Sequence, residues 1–560
     1  MRWTACALLT IALSLVPTAY DALAAAAGPR AAFAWGTVLM LAFVAPLPWL
    51  WPRPAEPGAR ALRWPIVVGV AIAGMALTAR AAAALAPVIF AGPIDPTRGD
   101  MLVIVRHAID RFLAGGHPYA VHHVPWDAPL SYGPVLWTPF VVPHVLRVDY
   151  RILTLAAQLT VPVAAWMAAA RGAGRGSWLH AAGLAALGAV LALHPDVNRF
   201  LAIGHTQIYW PLLLICAALM AGGRWTAAAV CLGLLVAARS TMVAIVPVFA
   251  IHLAATGRWS WRLVAAFTLA AALPFVPFVL ADASVVWYAM VGVYLKVMTG
   301  FVWQQTNWAA DTFGITGRLL ERGLERYAGL AQGLSMLATY LLAWRSMASG
   351  ARPEPWMAIA LLVFSMTTLW PVLYLYFDVW VLLACALIAA AGPERAARPI
   401  GGAAAAFAVA LIIVLAAVSW KPGARFRLDV GDPSVSGYTG GGFGRDEAVG
   451  IDGRMAVWIE GETARVRLPR AGFSGAMIRI AILPPAHPAG TGQTVAAALN
   501  GANLGSRRLA DGWQEIAFDS RLRHWNVGFN VLDLTFSHSV AVPPSADRRV
   551  SAAIDWIAVE

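Results

Sequence analysis

Apolar runs close to twenty residues long, separated by short polar or arginine-bearing breaks, dominate the chain as far as Trp420. Roughly twenty apolar residues are what a helix needs to cross a bilayer, and in lipid only a helix or closed barrel satisfies its own backbone. The pattern predicts about thirteen spans, at 3–20, 31–51, 64–91, 151–170, 177–193, 207–221, 225–238, 241–256, 263–281, 328–345, 354–370, 372–391 and 400–420. The apolar stretch 131–146 carries Pro134, Pro139 and Pro143 and is read instead as a helix or loop at the outer interface. Beyond Trp420 the period changes. A Gly-rich linker (GYTGGGFG, 437–444) is followed by strict alternation at Ile478, Ile480 and Ile482 and at Leu532, Leu534 and Phe536, with Asn500-Gly501 as a hairpin turn. The expected architecture is a polytopic α-helical membrane domain over 1–420, with an outer loop at about 92–150, a linker at 421–445 and a β-sandwich over 446–560. The sandwich can bury its own core. It is expected either to bind carbohydrate or to pack against the membrane domain or a partner.

Composition agrees with that pattern. Of 560 residues, 60% are hydrophobic and only 12% charged, about half the charge of a soluble domain. The net charge of +12 comes largely from arginines at the ends of apolar runs, such as Arg53, Arg171, Arg224, Arg258, Arg345 and Arg395. Arginine placed so marks cytoplasmic loops, which sets the N-terminus inside and the segment after 420 outside. Residues 1–27 also fit a secretory signal peptide, and its cleavage would leave that orientation unchanged. No basic run with interleaved aromatics is present, so nucleic acid is not expected as a partner. The four cysteines lie in apolar runs without metal or disulfide spacing and read as small buried hydrophobes. The carboxylates show no clustered ligand spacing, so no metal is expected.

Three outer segments carry polar chemistry. In the first, Pro93 and Pro96 break the preceding helix, and a new helix is predicted from near Asp100 to Gly115-Gly116. Asp100, His107 and Arg111 share one face of it, and Val103, Ile104 and Phe112 make an apolar side suited to lie on the membrane. The second segment, 194–207, contains His205 and Gln207. The third follows residue 281 and holds Lys296, Trp303, Gln304, Gln305, Asn307, Trp308 and Asp311. Polar groups among Trp and Tyr suit sugars, although such aromatics also mark membrane interfaces.

Asp100, GGHPYA (115–120) and LSYGPVLWTPFVVP (130–143) together resemble the first outer loop of GT-C-fold glycosyltransferases, nearest to the polyprenyl-phosphate-mannose-dependent enzymes of glycosyltransferase family 87. Where that family has a Tyr-Pro-Pro-like element, this chain has Tyr132-Gly133-Pro134. GHTQIYWPLLL (204–214) resembles the family's Gly-Gln-x-Asn segment, LGLLVAARSTMVAIVP (232–247) its segment with a basic residue near the outer surface, NWAADTFGITGRLLER (307–322) its late-loop segment and PVLYLYFDVWVLL (371–383) its aromatic-rich pre-helix segment. The resemblance covers roughly residues 64–420. The tail resembles the jelly-roll modules appended to bacterial glycosyltransferases.

The resemblance implies a bacterial cytoplasmic-membrane enzyme that transfers a hexose such as mannose, with inversion, from a polyprenyl-phosphate donor to an extracytoplasmic glycan or glycolipid. Such a reaction needs one carboxylate to take the acceptor proton and cations or amide donors for the leaving phosphate, and no cofactor. Asp100 is the expected base, ahead of Asp95 and Asp110, and an Asp there also suits a helix N-cap. Arg239 is the first candidate for the donor phosphate, because an arginine at a membrane edge is costly unless it pairs; Lys296 and Arg106 follow. His107, His117, Tyr119, Tyr132, His205, Gln207, Trp303, Gln304 and Asn307 are the expected sugar or acceptor contacts. Two other functions fit a polytopic chain. A transporter or flippase would show repeated halves and midplane ionisable residues, which this sequence does not display. A non-catalytic glycan-assembly protein would not need Asp100 and Arg239.

Overall fold

A computed structural model describes residues 2–52, 63–90, 94, 99–124, 126–146, 148–294, 314–368, 375–391, 426–431, 438–444, 449–451, 454–469, 476–485, 492–525, 529–542 and 545–560. The chain is mostly helical, with a β-sheet region at its C-terminal end. It divides into two compact units. The first comprises Met1–Ala82, Met101–Val142 and Leu153–Val414, the second Ala83–Asp100, Pro143–Ile152 and Leu415–Glu560.

Among the described residues four helical stretches are long and apolar enough to cross a membrane: Ala31–Leu50, Trp64–Ala86, Tyr150–Gly174 and Trp261–Gly292. The bent pair Trp178–Leu193 and Pro195–Leu201 would make a fifth. Several expected spans are instead shorter apolar helices, including Arg2–Thr18, Thr206–Ala221, Trp225–Ala238, Ser240–Ala255 and Tyr376–Ala390. The expected span at 400–420 lies outside the described residues. Proline in the first turn starts many of these helices, among them Trp210–Ala221, Val246–Ala255 and Pro353–Thr367. Its fixed φ suits that position, and the N–H it lacks would have had no partner within the helix.

The predicted loop helix is present as Met101–Leu113. Its apolar side is not laid on a membrane as expected. Val103 and Ile104 are buried inside the protein, and only Phe112 and Leu113 near its end are exposed. The helix packs on the short hairpin of β1 (His122–Val124) and β2 (Trp126–Ala128) and on the 3-10 turn Thr138–Phe140. The stretch 134–145 folds as three short helical turns, with Trp137 and Phe140 fully buried.

The C-terminal strands are β3 (Phe426–Asp429), β4 (Val449–Ile451), β5 (Arg454–Glu460), β6 (Thr463–Pro469), β7 (Ala476–Leu483), β8 (Thr494–Leu499), β9 (Ala502–Arg508), β10 (Gln514–Ser520), β11 (Phe529–Phe536), β12 (Val540–Val542) and β13 (Ser545–Val559). One sheet runs β10-β7-β13-β5-β4, with β3 and β12 also paired to β13; the other runs β6-β11-β8-β9. β3 lies within the segment expected to be linker. The two sheets turn their apolar positions into one core, where Ile478, Ile480, Ile482, Leu532 and Leu534 are fully buried. On the opposite faces Ala481 packs with Trp556 and Ala558, and Arg465 Nε bonds Asp533 Oδ1 at 2.7 Å across paired strands. Asn500 and Gly501 take φ of 52° and 81° in the β8–β9 turn, the left-handed pair that a two-residue hairpin requires.

Candidate functional site

Helix Trp225–Ala238 ends because Arg239 leaves helical geometry, at φ −142° and ψ 120°, before a 3-10 turn at Ser240–Ile245. The carbonyl of Ala238, left without an intrahelical partner, accepts the amide of Gly133 at 3.2 Å. This contact needs glycine. A Cβ on residue 133 would lie 1.9 Å from the Ala237 carbonyl oxygen. Proline at this position would offer neither the donor N–H nor the clearance. The same approach sets Tyr132 edge-on to the His205 ring, with centroids 4.0 Å apart.

His205 precedes the 3-10 turn Thr206–Tyr209, which leads into helix Trp210–Ala221. The turn and the first residue of that helix aim three side chains at one place. Thr206 Oγ1 accepts from Arg239 Nη1 at 3.4 Å, and the Tyr209 ring lies 6.0 Å from the Arg239 guanidinium carbon. The Tyr209 hydroxyl donates to Asp378 Oδ2 at 2.6 Å and Trp210 Nε1 to Asp378 Oδ1 at 3.3 Å. Arg239 Nε completes the cluster 3.7 Å from Asp378 Oδ2. Asp378 is fully buried in helix Leu375–Ala390, and Arg239 is nearly so. A charge taken out of water must be paired and hydrogen-bonded, and this carboxylate has a cation and two neutral donors. The Arg239 contact is longer than the 2.7–2.9 Å of a tight charge-assisted bond and uses Nε rather than the paired Nη fork.

His205 is completely buried, and neither ring nitrogen has a hydrogen-bond partner among the described residues. Burial first, and the Arg239 charge second, hold its imidazole well below the usual histidine range, so it is neutral. Gln207 Nε2 donates to the Val197 carbonyl at 3.4 Å, while its buried Oε1 lacks a hydrogen bond among the described residues. Buried polar atoms without partners are uncommon and mark places where water or a ligand completes the structure.

The remaining expected contacts support this cluster or stand apart from it. Tyr119 is buried; its hydroxyl donates to the Tyr132 carbonyl and accepts from Trp137 Nε1, both at 3.2 Å. It thus braces the backbone at Tyr132, and burial raises its ionisation well above the tyrosine range. His117 accepts the Tyr119 amide on Nδ1 and gives its Nε2 proton to the Phe278 carbonyl at 3.0 Å. His107 packs 6.5 Å from the His122 ring, and burial with the Arg106 charge lowers its basicity. Arg106 is half-buried on the same helix. Asp100, half-buried, directly precedes helix Met101–Leu113 and falls in the second unit, whereas Arg106, His107, Tyr132, His205 and Arg239 belong to the first. Lys296, Trp303, Gln304 and Asn307 lie outside the described residues.

Two buried acid–base pairs escaped the sequence reading. Asp378 is one, and the rule that an ionisable residue in an apolar span is functional by default would have flagged it. The other is Asp149–Arg151 in the second unit. There the guanidinium meets the carboxylate at 2.6 Å and gives Nη1 to the Ile89 carbonyl at 2.7 Å. In comparisons with known proteins, no protein-family model matches the chain, and neither does any curated protein.

Proposed function

We propose that the protein is a polytopic membrane glycosyltransferase of GT-C type. It transfers a hexose such as mannose, with inversion, from a polyprenyl-phosphate donor to a glycan or glycolipid outside the bacterial cytoplasmic membrane. One observation carries the reading. Segments 130–143, 204–214, 232–247 and 371–383, far apart in the chain and each resembling a segment of that family, meet in one cluster through Tyr132–His205, Gly133–Ala238, Arg239–Thr206 and Tyr209–Asp378.

The membrane setting is supported by helices whose apolar surface is largely uncovered by the described residues. Only 11% of the most apolar stretch of Trp261–Gly292 and 22% of that of Trp64–Ala86 is buried. Exposed apolar area of that extent is unfavourable in water and suits lipid. About thirteen spans, a cytoplasmic N-terminus and an outer jelly-roll-like sandwich complete the proposed topology.

In the proposed reaction Asp100 takes the acceptor proton as the hydroxyl oxygen bonds the anomeric carbon. The bond from that carbon to the phosphate oxygen breaks on the opposite face, and the polyprenyl phosphate leaves as an anion. Arg239 stabilises that growing charge, with Lys296 and Arg106 as further cations, and Asp378 with Tyr209 positions the Arg239 guanidinium. The test is transfer from polyprenyl-phosphate hexoses to candidate glycan acceptors by the purified protein. Asp100→Asn should slow it by about 10²–10⁴-fold, the worth of a general base. A variant as fast as wild type removes Asp100 from the role. Absence of any turnover, together with movement of a substrate across liposomes, would establish a transporter instead.

A further inference from the structure

The C-terminal β-sheet region carries a cleft that is independent of the transferase reading. β9 and β10 are the edge strands of their respective sheets, and Arg507 Nε ties one to the other through the Ala517 carbonyl at 3.0 Å. Beside this junction is an open cleft of about 770 Å³ lined by Asn503, Leu504, Asp519, Arg521, Arg523 and His524, with the start of β7 as its floor. That volume falls in the range of small-ligand sites.

The turn bearing the cations is fixed from below. Trp525, buried, donates its Nε1 to Ser520 Oγ at 2.7 Å, and Asn500 Nδ2 donates to the His524 carbonyl at 2.8 Å. The Arg521 amide donates to His524 Nδ1 at 3.2 Å. Arg521 and Arg523 are exposed. Among the described residues, the ion pairs of this region use Arg454, Arg465, Arg479 and Arg548, and none uses Arg521 or Arg523. Cations on an edge strand can serve only to deter pairing with other chains. These two, however, stand on the turn beyond β10, where no ladder could form.

We propose that this cleft binds an anionic saccharide, with its carboxylate or phosphate on Arg521 and Arg523 and its hydroxyls on Asn503 and Asp519. Guanidinium forks match carboxylate and phosphate geometry. Asn503 spends its Oδ1 on the Gly505 amide at 2.7 Å, which leaves its Nδ2 donors to a ligand. Asp519 accepts hydroxyl protons, a feature that a sugar supplies and a phosphate-dense polyanion does not. Among the described residues the lining contains no Trp, Tyr or Phe. Stacking of a base, as in single-strand nucleic-acid binding, or of a neutral sugar would fall to His524 among the described residues, so charge supplies most of the affinity.

The test is titration of the purified full chain in detergent with an oligogalacturonate, a phosphorylated mannose oligosaccharide and a neutral mannose oligosaccharide of equal length. At least one charged ligand should bind more tightly than the neutral one, and weaken with added salt. R521Q/R523Q should lose that affinity by about tenfold or more with unfolding temperature unchanged. If the double variant loses its fold, R521Q and R523Q singly decide, each being expected to weaken the charged ligand. Equal binding of the neutral oligosaccharide, or binding that survives the substitutions, would overturn the assignment. Displacement of the charged ligand by an equal concentration of glycerol 3-phosphate would overturn it in favour of a lipid headgroup.

Discussion

The Tyr209 hydroxyl donates a 2.6 Å hydrogen bond to Asp378 across 169 residues of sequence. With Trp210 and Arg239 it makes Asp378 a carboxylate with three partners, inside an apolar helix where a lone charge would not be tolerated. The consequence concerns Arg239, whose position depends on that carboxylate.

Removing one side of this pair takes from the other its opposite charge. Asp378→Ala should destabilise the protein by about 3–5 kcal/mol, the cost of breaking a buried ion pair. The double variant Asp378→Ala/Arg239→Ala should cost less than the sum of the two singles. Thermal unfolding of all four proteins in one detergent measures the coupling. Additive losses would show that the pair is not energetically linked.

Gly133 is needed for space rather than for an unusual φ. Gly133→Ala should cost about 3 kcal/mol, the upper end of overpacking penalties, because its Cβ meets the Ala237 carbonyl at 1.9 Å, backbone that cannot swing aside. Gly133→Pro should be worse, since it also removes the amide bonded to Ala238. Expression level and unfolding temperature report both, and a Gly133→Ala protein of unchanged stability would refute the close approach.

His205 makes stability fall with acid. Its folded ionisation lies well below the ordinary value because of burial and the Arg239 charge, so the unfolded chain binds the proton more readily. Stability is complete above the usual histidine range and declines as pH drops through it, by up to about 1.4 kcal/mol per pH unit for this one group. His205→Gln should flatten the decline between pH 7 and pH 5 relative to wild type. Parallel curves for the two proteins would contradict a buried neutral imidazole.

In the C-terminal region Gln493 is buried and makes three bonds, from Nε2 to the His538 and Ser551 carbonyls at 2.7 and 3.0 Å and to Oε1 from Ser537 Oγ at 2.6 Å. Gln493→Leu keeps the bulk but leaves those groups unsatisfied. A loss of about 3 kcal/mol is expected, visible as a lower unfolding midpoint. Gln493→Glu should lose the two donated bonds and bury a charge, and so fare no better.

Local rules made part of this protein legible without a structure. Two-residue alternation committed Ile478, Ile480 and Ile482 to one face of a strand, and Asn500-Gly501 to the only turn geometry that such a pair favours. Helical spacing ended by paired glycines gave the loop helix Met101–Leu113 almost to the residue. These features depend on neighbours a few positions away. The site depends on approaches between distant segments, which no period encodes. Val103 and Ile104 were recognisable as one apolar face, but whether lipid or protein covered it depended on the hairpin and turn that pack there. Arg239 stood out as an unusual cation and Asp378 as an acid in an apolar run, yet only the fold, which brings Tyr209 and Trp210 to the same carboxylate, makes them partners. Nothing around Gly133 in the sequence shows that it needs glycine; the end of a helix more than a hundred residues on, lying against it, decides that. Composition set which groups had to find partners out of water, and packing chose the partners.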